Sequence, residues 1–158
     1  MVSPRRFLGD STNLTRLIKY WGPVLLWMCV IFWMSTGTFS AQNTSLIIEP
    51  LLRFVMPSTT PEHLSLINGV IRKSAHVTEY FVLGILLFRA FRLGSEKLRT
   101  MRWAFYSFLI VVLYAAGDEF HQSFEAGRTA SLLDVGFDTF GGFLAQAVTI
   151  VKLRRQDD

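Results

Sequence analysis

The chain has 158 residues, of which 51% are hydrophobic and only 18% are charged. Soluble domains carry about 25% charged residues, so this composition argues against a soluble protein. The net charge is +4, but the basic residues flank apolar segments instead of following one polar face, which argues against nucleic acid as a partner. The length suits a single domain covering residues 1–158.

The first apolar segment covers about residues 17–35 and has tryptophans near both ends, Trp21 and Trp33. Tryptophan is enriched at the two membrane–water interfaces, so the segment is predicted to cross the membrane. Arginine and lysine precede it without a clear cleavage site, which indicates a retained signal anchor.

A long loop of about residues 36–73 follows the first segment. It contains the apolar run SLIIEPLLRFVM, which predicts a short helix lying on the membrane surface or dipping into it. Further on, Thr60-Pro61-Glu62 combines an N-cap, a proline in the first turn and an acidic residue. A helix is therefore predicted to begin here and to continue into the second apolar segment.

Three more apolar segments follow in the rest of the chain. They cover about residues 74–91, 103–120 and 132–151. Like the first, each has roughly 18–20 residues, close to the length that crosses a hydrocarbon core of about 30 Å. The sequence thus predicts an all-α membrane protein, built as a bundle of four transmembrane helices.

The positions of lysine and arginine predict the orientation of this bundle. Twelve of the 16 basic residues lie around the start of the first segment, around the connection between the second and third, or after the fourth. These three regions share one side of the membrane if all four segments cross it. The positive-inside rule then predicts that both termini are cytoplasmic.

Polar and ionisable residues are concentrated at the outer ends of the last three segments, and helical spacing puts most of them on one face of their helix. They are Lys73, His76 and Tyr80, then Asp118, Glu119, His121 and Gln122, then Arg128 in the loop, and finally Asp134 and Asp138. Glu79 lies on another part of its helix and is ranked below them. Ionisable groups at membrane depth pair inside the bundle or line a polar cavity, so an outer-side site is predicted.

A purely structural ion-pair network is the alternative to a functional site. Asp134 follows Ser131 by three residues, so a capping box at the start of its helix could be its whole role. Asp118 and Glu119 end a helix, where the dipole disfavours negative charge, so they are expected to need a cationic partner. That partner could be Lys73, Arg128, a protonated histidine or a divalent metal ion. The cluster has enough ligands for zinc or magnesium, but its spacing matches no metal motif.

Three stretches resemble the VanZ-like family of small bacterial membrane proteins: VIFWMSTGTFSAQNTS, RKSAHVTEYFVLGILLFRAFR and YAAGDEFHQSFEAGRTASLLDVGFDTFGGFLA. The resemblance covers about residues 22–150, and its most specific pattern is D-E-x-H-Q-x-F…G-R…D-x-x-x-D-x-x-G. It carries over to the polar residues above and to Phe124, Gly127 and Gly141, while Ala126 stands where the family usually has proline. It implies a four-helix, multi-pass protein of the bacterial cytoplasmic membrane, and the family is named after a teicoplanin-resistance accessory protein. The resemblance does not identify a reaction.

Three functions from different classes follow. In the first, the outer pocket binds an anionic lipid, a lipid-linked cell-wall intermediate or an amphiphilic, glycopeptide-type antibiotic, with Lys73 and Arg128 meeting phosphate. In the second, the protein is a metal-dependent enzyme acting on a phospho-lipid head group. Its catalytic candidates are His76, Asp118, His121 and Asp138. In the third, the ionisable cluster is the relay of a small transporter or proton-coupled channel.

Overall fold

The computed structural model describes residues 5–93, 100–125 and 131–157, and within these ranges the chain is helical without any strand. The helices are α1 (Arg5–Met34), a single 3₁₀ turn (Gly37–Phe39), α2 (Ala41–Val55), α3 (Pro61–Arg92), α4 (Thr100–Gln122) and α5 (Leu132–Asp157). The prediction of an all-α protein is confirmed.

Helix α3 begins where the Thr60-Pro61-Glu62 sequence predicts. The Thr60 side chain accepts a hydrogen bond from the backbone N–H of His63 at 3.5 Å, and Pro61 occupies the first turn. The helix then continues without interruption to Arg92. The second apolar segment is therefore the C-terminal part of a longer helix, which projects beyond that segment on its N-terminal side.

The predicted short helix in the first loop is α2. The Ser40 side chain caps it by accepting a hydrogen bond from the Asn43 backbone N–H at 3.4 Å. Its apolar side chains are largely exposed, with Ile47 at 75% and Phe54 at 86%. Such an apolar surface is unfavourable in water, and it suits a helix lying against lipid.

Contacts between side chains define the relative directions of the four long helices. Helix α1 runs antiparallel to α3, through the pairs Tyr20–Arg89 and Trp27–Glu79. It runs parallel to α4, through the pairs Met28–Tyr114 and Ser35–Asp118. Helix α5 runs parallel to α3, through the pairs His76–Asp138 and Gly84–Gln146. The C-terminal ends of α1 and α4 therefore meet the N-terminal halves of α3 and α5 at one end of the bundle.

Two adjacent glycines let α5 approach its neighbours closely. A Cβ atom at Gly141 would collide with the carbonyl oxygen of Val77 in α3, and one at Gly142 would collide with the Val111 side chain in α4. Small residues at helix contacts permit such close backbone approach. Both glycines therefore lie at helix–helix contacts.

Three helical segments in the described ranges are long and apolar enough to cross a membrane: Asn13–Met34, Pro61–Arg92 and Thr100–Gln122. They contain the first three predicted spans. Helix α5 covers the fourth but does not reach the same apolarity, because Asp138 and Gln146 lie inside it. The fourth crossing, and with it the orientation, stays a prediction.

Candidate functional site at one end of the bundle

Asp138 is completely buried, and it contacts His76 of the neighbouring helix. The His76 Nδ1 and Asp138 Oδ1 atoms lie 3.3 Å apart. The contact lacks the alignment of a hydrogen bond, and neither carboxylate oxygen of Asp138 has a hydrogen-bond partner among the described residues. Burying a carboxylate with so few partners is costly, so the His76–Asp138 pair is a candidate for a functional role.

Asp118 lies against the end of α1. Its Oδ2 atom accepts hydrogen bonds from the Ser35 hydroxyl at 2.6 Å and from the Gln122 amide at 3.0 Å, whereas Oδ1 has no partner. All three residues are buried. Among the described residues, neutral donors from α1 and α4 bond this oxygen. Arg128, one of the cationic partners expected for Asp118, lies outside the described residues.

Glu119 connects the end of α4 to the start of α5. Its Oε1 atom accepts a hydrogen bond from the Ser131 backbone N–H, and its Oε2 atom is buried without a partner. In a capping box, the Asp134 carboxylate would take that same N–H group. Asp134 instead pairs with Lys73, at 3.2 Å between Oδ1 and Nζ. The capping-box interpretation of Asp134 is therefore wrong.

Lys73 lies at the rim of the cluster and not inside it. Its side chain is 46% exposed, pairs with Asp134, and places Nζ 4.3 Å from the centre of the Phe137 ring. Exposed ion pairs contribute at most about 1 kcal/mol to stability. Arg128 and Gly127, which the sequence places beside this rim, lie outside the described residues.

Tyr80 and His121 occupy separate positions from the Asp138 contact. Tyr80 is completely buried with an unpartnered hydroxyl, next to the Tyr114 ring at 6.3 Å. The His121 ring stacks on Phe32 of α1 with centroids 4.5 Å apart, and its Nε2 atom lies 3.6 Å from the Glu125 carboxylate. His121 therefore contacts α1, as Asp118 does, but through Phe32 instead of Ser35.

A cavity of about 80 Å³ opens beside His76, between α3, α2 and the end of α1. Its polar lining comes from Arg72, His76 and Glu79 of α3. Its other lining residues are Met34, Phe39, Thr44 and Ala75. His76 therefore lies between this cavity, which its side chain lines, and the buried Asp138.

The cavity lining includes Arg72, which sequence reasoning did not name as a site residue, and Glu79, which it ranked below the other polar residues. The positions 72, 76 and 79 follow the i, i+4, i+7 spacing of one helix face, so the signal was present beside the face of Lys73, His76 and Tyr80. Ser35 gave no such signal, because its contact with Asp118 joins residues 83 positions apart in the chain.

The described ranges contain no group of three or more His, Cys, Asp and Glu residues placed to hold a metal ion. The carboxylates are spread over different contacts: Asp118 with Ser35, Glu119 with Ser131, and Asp138 with His76.

A family model described as VanZ/LLP1 matches residues 20–153. The match includes all of α2, α3 and α4, the second half of α1, most of α5, and every candidate site residue named above. No curated protein and no solved structure matches the chain. The resemblance drawn from the sequence motifs is confirmed.

Proposed function

This chain belongs to the VanZ/LLP1 family, and we propose that it binds the phosphate head group of an amphiphile in the cavity beside Arg72 and His76. Family membership and three apolar helices indicate a membrane protein. The observation that supports the binding role is the cavity itself, because it combines a cationic side chain with apolar walls. An anionic lipid and a lipid-linked cell-wall intermediate both offer this combination of phosphate and tail.

The proposal includes a fourth crossing by α5, in the bacterial cytoplasmic membrane. Helix α5 has 26 residues and packs on α3 and α4, and it exposes Phe140, Phe143 and Val148 by about half each. These side chains suit contact with lipid. With α5 crossing, the three basic regions share one side, which places both termini in the cytoplasm and the cavity at the outer face.

Arg72 supplies the charge that a phosphate needs. In the described part of the chain, Arg72 has no ion pair, and its planar guanidinium can bind phosphate through two parallel hydrogen bonds. Glu79 also lines the cavity, but the helix rise separates it from Arg72 by about 10 Å. The phosphate therefore binds at the Arg72 end, where it avoids the carboxylate, and the tail lies against Met34 and Phe39.

The size of the cavity discriminates among the amphiphiles. Drug-sized ligands occupy pockets of roughly 300–1,000 Å³, whereas this cavity measures about 80 Å³. It accommodates a head group and excludes a whole glycopeptide antibiotic. We therefore place a lipid phosphate ahead of an antibiotic as the ligand.

Binding of a short-chain polyprenyl phosphate to the purified full-length protein tests this role. Arg72→Gln removes the cation and should weaken binding about tenfold or more. Arg53→Gln, an exposed arginine on α2 that does not line the cavity, is the matched control and should bind like the parent protein. Equal binding by all three proteins would contradict the proposal, and so would an equal loss in both variants.

Two further ligands separate the chemical classes in the same assay. Inorganic phosphate should compete only weakly, because it lacks the tail that contacts the apolar wall. A glycopeptide antibiotic should not compete for the cavity. If the antibiotic bound and Arg72→Gln abolished that binding, the antibiotic and not the lipid would be the ligand of the cavity.

A second candidate function is acid–base chemistry on the bound head group, and the His76–Asp138 contact favours it. A carboxylate beside Nδ1 orients an imidazole and leaves Nε2 to exchange a proton with a ligand. Release of phosphate from a polyprenyl diphosphate, measured for the parent protein and for His76→Gln and Asp138→Asn, tests this candidate. Loss of turnover in both variants, with turnover retained in Asp134→Asn, would support an enzymatic function. A parent protein without turnover would exclude this reaction.

A further inference from the structure

A second cavity, of about 360 Å³, lies at the opposite end of the bundle. It is bounded by α1, α3 and α5, and its lining residues are Tyr20, Ile85, Phe88, Arg89, Arg92 and Thr149. Arg72 and Arg89 belong to the same continuous helix, whose rise separates them by about 25 Å. The two cavities are therefore distinct sites near opposite faces of the bundle.

Basic side chains lie around this second cavity. The Arg89 guanidinium lies 5.5 Å from the centre of the Tyr20 ring, and the Lys19 ammonium lies 5.7 Å from the same ring. The adjoining parts of the three helices, residues 13–34, 80–93 and 139–155, contain no Asp or Glu. Concentrated positive charge of this kind attracts anions, most strongly where apolar surroundings lower the dielectric.

The cavity also offers an apolar surface beside these charges. Ile85 is 37% exposed, and the buried Phe88 ring forms part of the wall. The Thr149 hydroxyl donates its hydrogen to the Ala145 carbonyl at 2.7 Å, so it cannot donate to a ligand. The basic side chains are therefore the groups that would bind an anion here.

We propose that this second cavity binds the phosphate of an anionic phospholipid from the leaflet on that side of the membrane. Arg89 contacts the phosphate, Lys19 adds positive charge, and an acyl chain runs along Ile85 and Phe88. Basic pockets between transmembrane helices bind lipid head groups in this manner. The site shares no residue with the Arg72 cavity, so it is independent of the function proposed above.

Lipid titration of the detergent-solubilised full-length protein, followed by native mass spectrometry, tests this site. Arg72→Gln serves as the background, so that the first cavity does not contribute. Phosphatidylglycerol should bind with a stoichiometry of one, and phosphatidylcholine should bind far more weakly. Adding Arg89→Gln should weaken phosphatidylglycerol binding about tenfold. Arg102→Gln, an exposed arginine of α4 that does not line the cavity, should leave it unchanged.

A second variant separates a shaped site from diffuse attraction to positive charge. Ile85→Trp keeps every charge but fills the apolar side of the cavity, so it should also weaken phosphatidylglycerol binding. Equal effects of Arg89→Gln and Arg102→Gln, or full binding by Ile85→Trp, would overturn the proposal. Displacement of the lipid by inorganic phosphate at the same concentration would also overturn it, because the acyl chain would then contribute nothing.

Discussion

The Asp138 carboxylate is buried without a hydrogen-bond donor among the described residues. Such burial is costly, which argues against a purely structural role. A buried carboxylate that served stability would be surrounded by donors, as the Oδ2 atom of Asp118 is. Among the described residues neither Asp138 oxygen has such a donor, and His76 Nδ1 lies 3.3 Å from Oδ1. Natural proteins retain unsatisfied groups of this kind mainly at functional sites.

Asp138→Asn is therefore predicted to leave the protein as stable as the parent or more stable, while it impairs the function of the site. The amide keeps the shape of the side chain and removes a buried charge. Removing such a charge stabilises similar proteins by about 1–3 kcal/mol. Thermal unfolding in detergent measures the stability. A loss of stability of similar size would contradict this account and indicate that the carboxylate holds the bundle together.

Ser35→Ala is predicted to destabilise the protein by about 1–3 kcal/mol, because it leaves the buried Asp118 carboxylate with fewer donors. Ser74→Ala, at an exposed position of α3, is the control and should change stability by less than about 0.5 kcal/mol. A double-mutant cycle of Ser35→Ala with Asp118→Asn should show coupling between the two positions. Additive effects would mean that the 2.6 Å hydrogen bond contributes nothing.

Residue spacing grouped part of the polar cluster as the structure has it, and the limits of this reasoning are physical. Periodicity assigns residues to a helix face, so it grouped Lys73, His76 and Tyr80, which do lie at the junction of α3 with its neighbours. It cannot rank two adjacent faces of the same helix, so Arg72 was missed. It also cannot identify the partner across a helix contact, as the contacts of Asp118 with Ser35 and of His121 with Phe32 show.

At the scale of the helices, the contact between α3 and α5 depends on Gly141. Gly141→Ala is predicted to destabilise the protein by several kcal/mol, because the added Cβ would overlap the Val77 carbonyl and force the helices apart. Gly136→Ala is the matched control on the same helix, since its Cβ would meet nothing within 4 Å. This control should gain about 0.5–1 kcal/mol from helix propensity.

Thermal unfolding of the two glycine variants measures this difference directly. If Gly141→Ala unfolded at the same temperature as Gly136→Ala, the close approach of α3 and α5 would be wrong. Loss of the head-group chemistry proposed for His76 and Asp138 in Gly141→Ala, with that chemistry retained in Gly136→Ala, would connect this packing to the site. Such a connection is expected because Val77 is adjacent to His76 in α3.

Helix boundaries were predictable where local chemistry sets them, as at the Thr60 cap and in the apolar run that forms α2. Hydropathy alone could not establish whether α5 crosses the membrane, because polar residues on its protein side lower its mean apolarity. Hydropathy averages over all faces of a helix, so it does not separate Asp138, which is buried, from Phe140 and Phe143, which are exposed. A helix with polar residues on its protein side therefore resembles a soluble helix in composition.

At the scale of the whole molecule, the fourth crossing determines on which side each terminus lies. In a Cys29→Ser background, Asn13→Cys and Gln156→Cys should be labelled by a membrane-impermeant maleimide only from the cytoplasmic side. Ser58→Cys, in the loop after α2, should be labelled only from outside. Labelling of Gln156→Cys from outside would show that α5 does not cross, and it would leave a three-span protein.

The central claim is that an outward-facing cavity beside His76 binds a lipid phosphate. Ala75→Cys places a thiol in this cavity, and Ser74→Cys places one on the neighbouring exposed position outside it. In a Cys29→Ser background, we expect a membrane-impermeant maleimide to label both from outside. Polyprenyl phosphate should slow the labelling of Ala75→Cys alone. Labelling of Ala75→Cys from the cytoplasmic side, or at a rate that the lipid does not change, would contradict the claim.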